Sequence, residues 1–187
     1  VVFELHGGIY SFAVRMDLRE SDELRSEMVE EYSLRFDNFS GAMRNVEVFL
    51  DAEYAVVKDI IEGVHEMGIF VIPGAIESLV RYYERGFKVV IVSKSRVETS
   101  MMILEHFLKE AGVERFYDVM QSCDFYNCHE FGSKSDFNAW QKIFSYYESI
   151  DYVFDYKRLY LGVARKAARD LDFKPECYTK FEHVSFY

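Results

Sequence analysis

The sequence predicts a three-layer α/β domain, a parallel sheet covered by helices on both faces, with a small helical insert near its start. Three observations predict it. Apolar runs at Val1 to Leu5, Phe87 to Val92 and Tyr152 to Phe154 are short and nearly unbroken, the pattern of strands buried on both faces. From Pro73-Gly74 almost to the end, helical and extended patterns alternate, and strands separated by helices demand right-handed crossovers and parallel pairing. Between the first strand and that alternation lies a charged stretch with helical spacing and no good strand. The expected division is an α/β core over residues 1–14 and 70–187 and a helical insert over residues 15–69.

Each element has its own signals. Gly7-Gly8 stops the first strand. In the insert, Ser21 precedes a stretch with Leu24 and Met28 on one face, and Met43, Val46 and Leu50 mark a second helix. Asp51 is placed to cap a third, whose stripe is Tyr54, Val57, Ile61 and Val64. Ile76, Leu79, Val80 and Tyr83 predict a helix that Gly86 ends. Ser95 and Glu98 have capping-box spacing ahead of a helix burying Met101, Leu104, Leu108 and Ala111, and Gly112 follows it. Phe116 to Met120 reads as a weaker strand. Ser135 is placed to cap a helix presenting Phe137, Trp140 and Phe144, and Val163, Ala164, Ala167 and Leu171 line one more. A last short strand falls near Cys177 to Thr179.

Composition narrows the functions. A chain of 187 residues has room for one core and a small second lobe. With 50% apolar and 29% charged residues, it is built to fold rather than to stay disordered. The formal net charge is -10 with Lys and Arg scattered, so nucleic acid is excluded as a partner. No apolar run approaches the ~18–20 residues a bilayer requires, so no membrane partner is expected. Glu4 and His6 interrupt the first apolar run, and no basic leader precedes it, so a cytoplasmic location is the expectation. Cys123, Cys128 and Cys177 form an odd set without a disulfide framework. Cys123, Cys128 and His129 are close in sequence, but no second ligand pair completes a metal site, and packing in core and loop explains them. The aromatic residues Tyr32, Phe36, Phe39 and Phe49 of the insert and Tyr82, Tyr83, Tyr146 and Tyr147 of the core are expected to pack the lobes together. A homodimer face is their second reading.

In parallel α/β sheets, ligands bind outside the carboxyl ends of the strands. That rule selects four places: after Leu5, after Val92, near Lys134 and after Phe154, each with a polar or ionisable residue. Ser93 brings a hydroxyl, Lys134 a positive charge, and the Gly7-Gly8 turn exposed amides, a set suited to cradling a phosphate. Taken singly, Ser93 reads as a turn or cap residue and Lys134 as a solvated lysine. Their convergence at one sheet edge is what raises them.

The same residues carry a resemblance. VVFELHGGIY resembles the first motif of the haloacid dehalogenase superfamily, an apolar strand followed by Asp-x-Asp-Gly-Thr. IVSKS resembles the second motif, a strand ending in Ser or Thr, and IPGAIESLVRYYERGFKVVIVS reads like the helix leading into it. GSKSDFNAW is similar to the stretch around the third-motif lysine, and YVFDYKRLYLGVARKAA to the fourth motif and its helix. The match spans residues 1 to about 12 and 70 to about 180, with the insert where the family places its small cap. It implies a Rossmann-like core, and in the family's terms a phosphohydrolase with Mg²⁺.

The departures fall on the chemistry. The resemblance puts Glu4 at the position of the carboxylate that attacks phosphorus and binds metal, His6 at that of the general acid, and Gly8 at that of the Thr, leaving Gly7 alone unchanged. The fourth motif offers Asp155 followed by Tyr156, with Tyr160 further along, in place of paired carboxylates. Glu carries its oxygens one methylene farther out, and a misplacement of ~1 Å costs on the order of 100-fold in rate. Imidazole serves as a general acid, so His6 is the milder change. Mg²⁺ demands several oxygens in octahedral array, and Glu4, the His6 carbonyl and Asp155 make a poor set, so any divalent metal is expected to bind weakly. Glu4, His6 and Asp155 together suit Zn²⁺ or Mn²⁺, with a plain Glu4–His6 ion pair as the simpler reading. The expected function is a degenerate member of the superfamily, inactive or weak, that binds a phosphate-bearing small molecule or a partner. The alternative is a metal-dependent phosphomonoesterase with Glu4 as nucleophile and His6 as acid.

Overall fold

A computed structural model describes residues 1–4, 10–14, 46–64, 67–155 and 157–179. Along the chain its elements are β1 (Val2–Glu4), β2 (Tyr10–Val14), α1 (Val46–Ile61), β3 (Met67–Val71), α2 (Ala75–Glu84), β4 (Val89–Ser93) and α3 (Val97–Glu110). There follow α4 (Phe116–Ser122), β5 (Cys123–Asn127), α5 (Phe137–Phe144), β6 (Tyr152–Phe154), α6 (Arg158–Asp170) and β7 (Glu176–Tyr178). The expected helix around Ser21, Leu24 and Met28, and the aromatic residues Tyr32, Phe36 and Phe39, lie outside the described residues. The chain divides into two units, Val1–Ile9 with Ile72–Tyr187, and Tyr10–Val71.

The first unit contains the parallel sheet that the alternating pattern predicts. Its five strands run in the order β5-β4-β1-β6-β7, and each neighbouring pair is parallel. The chain therefore steps outward from β1 to one edge and, through a crossover, to the other. Strand alternation divides the core between the two faces. Val2, Val90, Val92 and Val153 pack with Trp140, Ile143 and Phe144 of α5 and the small residues Ala164, Ala167 and Ala168 of α6. On the other face Phe3 stacks on Phe154 at 5.0 Å and meets the edge of Tyr82 from α2 at 6.0 Å. All five residues of β4 are buried, as a strand covered on both sides must be.

Several elements differ from the sequence reading, each for a local reason. Residues 116–120 belong to a helix, and the edge strand follows at Cys123–Asn127. Its sequence, CDFYN, hides it: Asp124 is tolerated because Lys88 Nζ lies 2.8 Å from one oxygen and the Tyr147 hydroxyl donates to the other at 2.8 Å. No capping box forms at Ser95. Arg96 precedes the first residue of α3 without a side-chain cap, and the Ser95 amide donates to Ser93 Oγ at 2.9 Å. The buried face of α3 includes Leu104 and Leu108 as expected, joined by Ile103 and Phe107, while Met101 and Ala111 are exposed. Asp136 rather than Ser135 caps α5, accepting from the Asn138 amide at 2.9 Å. Gly86 and Gly112 follow α2 and α3 with φ of 81° and 69°, the left-handed turn that favours glycine after a helix.

The second unit is not purely helical. β2 and β3 pair antiparallel, from Tyr10↔Val71 to Val14↔Met67, so both strands belong with the insert. The division consequently falls at residues 10 and 71 where the sequence reading puts it at 15 and 69. α1 is one helix where two are expected, and Asp51 sits inside it rather than capping it. Among its described side chains Glu53, Val57 and Ile60 are buried, and Val64 lies past its end, exposed.

The aromatic stack fixes a prediction. Phe3→Ala is expected to remove about 3–5 kcal/mol from the unfolding free energy measured by urea titration. Met101→Ala, on the exposed side of α3, is expected to cost less than about 1 kcal/mol.

Candidate functional site

Parallel strands put all their carboxyl ends on one side, and four of them bring polar residues there. β1 ends at Glu4, which pairs with Val92, one residue before the end of β4 at Ser93. Ser93 in turn pairs with Asn127, the last residue of β5. On the other side of β1, β6 ends at Phe154 and is followed at once by Asp155. The Glu4 backbone thus lies between the Ser93 and Asp155 strands. The Glu4 side chain, and His6, Gly7 and Gly8 altogether, lie outside the described residues, as does the side chain of His129.

Lys134 and Asp155 meet. Lys134 precedes α5, its side chain is fully buried, and its Nζ lies 2.9 Å from Asp155 Oδ2. Both partners are fixed by further bonds. The Lys134 carbonyl accepts from the Trp140 indole at 2.7 Å, and Asp155 Oδ1 accepts from the Lys157 amide at 2.8 Å. Burial pushes the Lys134 ammonium down to about 8, with Asp155 pulling the other way. A buried charge of this kind is tolerated when it is paired and hydrogen-bonded, and losing one partner costs about 3–5 kcal/mol.

Ser93 is also buried, and its Oγ, having accepted from Ser95, retains its own hydrogen to donate. The sequence reading missed two neighbours, Lys94 and Lys157, and placed Tyr160 only where the fourth motif lacks its carboxylates. Lys94 directly follows β4, Lys157 directly precedes α6, and Tyr160 lies in the first turn of that helix. Nζ of Lys94, Lys134 and Lys157 lies 5.6, 5.5 and 5.5 Å from the centre of the Tyr160 ring. The available signal was position: a lysine directly after Ser93 and another two residues after Asp155.

The cysteines do not form a site with one another. Cys123 opens β5 and Cys128 follows its last residue, so a strand of about 16 Å separates them. Both are buried, and burial pushes each thiol up to about 12. Among the described residues no group of three or more His, Cys, Asp or Glu is placed to hold a metal ion, and no helix is long and apolar enough to cross a membrane. A cleft of about 530 Å³ opens at the amino ends of β6 and β7, and its charged lining is Glu148, Asp151, Asp172 and Glu176 against the single cation Lys174. Its carboxylates disfavour anions, so it stands apart from the phosphate site that the sequence suggests.

The fold and the strand-end residues define an open α/β protein with a parallel, Rossmann-like sheet. No family model, no curated protein and no solved structure matches the chain.

Two outcomes follow from burial. In the native protein an alkylating thiol reagent is expected to label Cys177, which is half-buried, well before Cys123 or Cys128, with mass spectrometry of the digest giving the order. Lys134 has a lower pKa folded than unfolded, 10.5, so between about 8 and that value the folded state binds fewer protons and this group's contribution to stability rises with pH. From pH 7 to pH 9.5, the native chain is expected to gain on the order of 1–2 kcal/mol relative to a Lys134→Met/Asp155→Leu double variant, read by urea unfolding.

Proposed function

We propose that the chain is a haloacid dehalogenase-type protein that binds a phosphate-bearing small molecule at the carboxyl end of its sheet and hydrolyses it weakly or not at all. The observation that carries the reading is the meeting of Lys134 with Asp155 at that edge, beside the strand that ends at Glu4 and one strand from Ser93. Stretches resembling four motifs, far apart in sequence, begin or end there. The insert also follows the first strand, where the resemblance puts a cap.

The chemistry of the donors argues for binding over turnover. Ser93 offers a hydroxyl proton, and Lys134 brings a positive charge to the same edge of the sheet. Asp155 has one oxygen on Lys134 and the other on the Lys157 amide, which leaves one lone pair on each. Mg²⁺ needs several oxygens in octahedral array, and by their chemistry Glu4, the His6 carbonyl and Asp155 make a poor set for it. Glu4 in place of an aspartate shifts the attacking oxygen by a methylene, enough to cost on the order of 100-fold in rate. Holding a phosphate by charge and hydrogen bonds needs none of these missing parts.

The test is an assay of phosphate release from a broad panel of phosphomonoesters with Mg²⁺, Mn²⁺, Zn²⁺ and Co²⁺, beside a Glu4→Ala control. No Glu4-dependent turnover is expected. Inorganic phosphate in large excess over its dissociation constant is expected to raise the Tm by about 5–10 °C, less in Ser93→Ala. Turnover that disappears in Glu4→Ala would replace this reading with a phosphomonoesterase using Glu4 as nucleophile and His6 as acid. Absence of both turnover and phosphate stabilisation would end it.

A further inference from the structure

We propose that Thr99 and the first turn of α3 hold an oxygen of the ligand's phosphate, which makes Thr99 a binding residue that weakens the unliganded protein. The inference rests on the phosphate-binding reading and names further groups that hold the anion. Its ground is one side chain. Thr99 is fully buried, and its Oγ1 has no hydrogen-bond partner among the described residues. A hydroxyl taken out of water without a partner costs free energy, and nearly every buried polar group has one. A helical Ser or Thr can escape that cost by bonding a carbonyl one turn back. Ser100 does so, its Oγ donating to the Arg96 carbonyl at 3.0 Å, and Thr99 does not. Valine would fill nearly the same space without the hydroxyl, so packing alone gives no reason for threonine at this position.

The place of this hydroxyl points to its partner. α3 starts at Val97, shortly after β4 ends at Ser93, so its amino end lies at the carboxyl edge of the sheet. The amides of a first helical turn have no acceptor within the helix, and no side chain among the described residues caps these. Arg96 occupies the N-cap position, and a guanidinium has no acceptor to offer. Thr99 is the third residue of the helix. Because Cα–Cβ bonds tilt toward a helix's amino end, its hydroxyl leans back over the uncapped turn. Just before that turn the Ser95 amide donates to Ser93 Oγ at 2.9 Å, which ties the start of α3 to the serine of the phosphate position. An oxyanion accepts from helix-start amides and from a hydroxyl at once, and the helix dipole favours its charge. The surroundings agree. Ser93, Ser95, Ser100 and Asn127 are all buried at the same strand ends or in the same turn, so this edge already harbours polar groups withdrawn from water. Arg96 and Val97 are half-buried and Glu98 is exposed, which opens the turn to solvent beside the buried hydroxyl. Glu98 is the acidic group of that turn, and water and salt screen it.

Calorimetric titration with inorganic phosphate, and urea unfolding without it, test this on the native chain, Thr99→Val and Thr99→Ser. Thr99→Val is expected to bind phosphate at least about tenfold more weakly. Without phosphate it is expected to unfold at the same urea concentration as the native chain or a higher one, since an unsatisfied buried hydroxyl is gone. Thr99→Ser keeps the hydroxyl and is expected to bind within about threefold of the native chain. Phosphate is also expected to shift the amide resonances of Val97, Glu98 and Thr99 in heteronuclear NMR spectra. Unchanged affinity in Thr99→Val overturns the role of Thr99 and, where Ser93→Ala abolishes binding, leaves the phosphate reading standing. A Thr99→Val chain that unfolds at lower urea, or does not fold, gives the hydroxyl a structural partner and overturns the inference as well. So does an equal loss of affinity in Thr99→Val and Thr99→Ser, or a set of amides that phosphate leaves in place. A native chain that binds no phosphate overturns both readings.

Discussion

The buried ion pair between Lys134 and Asp155 ties together segments that the sequence keeps far apart. Lys134 leads into α5 on one face of the sheet, and Asp155 ends the β6 strand next to the central β1. Neither charge is stable alone in this environment, because a desolvated ion costs several kcal/mol before any compensation. Each is therefore held by a further bond, Lys134 through its carbonyl to the Trp140 indole and Asp155 through the Lys157 amide. The consequence is positional. The loop before α5, the end of β6 and the start of α6 share one hydrogen-bonded unit, and the residues that flank it, Lys94, Lys157 and Tyr160, are set by the same constraint.

That unit gives the sheet a functional direction. Its carboxyl end gathers lysines and hydroxyl donors, while the amino ends of β6 and β7 open onto Glu148, Asp151, Asp172 and Glu176. A parallel sheet produces this polarity naturally, since every strand delivers the residue after its last apolar position to the same edge.

The sheet was legible in the sequence because its central strands are covered on both faces and so must be apolar throughout. Val89 to Val92 and Val153 to Phe154 leave no other reading. The edge strand β5 was not legible, because an edge is half-solvated and its Asp124 is satisfied by partners, Lys88 and Tyr147, that sequence spacing cannot supply. The strands β2 and β3 were missed for the same kind of reason. β3 is apolar along its whole length, Met67–Val71, but its antiparallel partner β2 lies at the far end of the insert, where sequence spacing cannot pair the two. At the candidate site, Ser93, Lys134 and Asp155 were legible through their places after strands and before a helix. Lys94 and Lys157 were not, since only the fold brings two lysines from different loops onto the Tyr160 ring.

A structural role and a chemical role thus overlap in Lys134 and Asp155, and the overlap limits what their presence means. The pair is worth keeping for the packing of α5 and β6 whether or not any phosphoryl group is transferred, because removing either member strands a buried charge. On the proposed reading, catalysis would depend instead on Glu4 at the end of β1 and on His6 and Gly8 after it, all of which differ from the pattern the chain otherwise resembles. On that reading, the groups that hold the sheet edge together are separate from those that would perform the chemistry, and either set can change without the other.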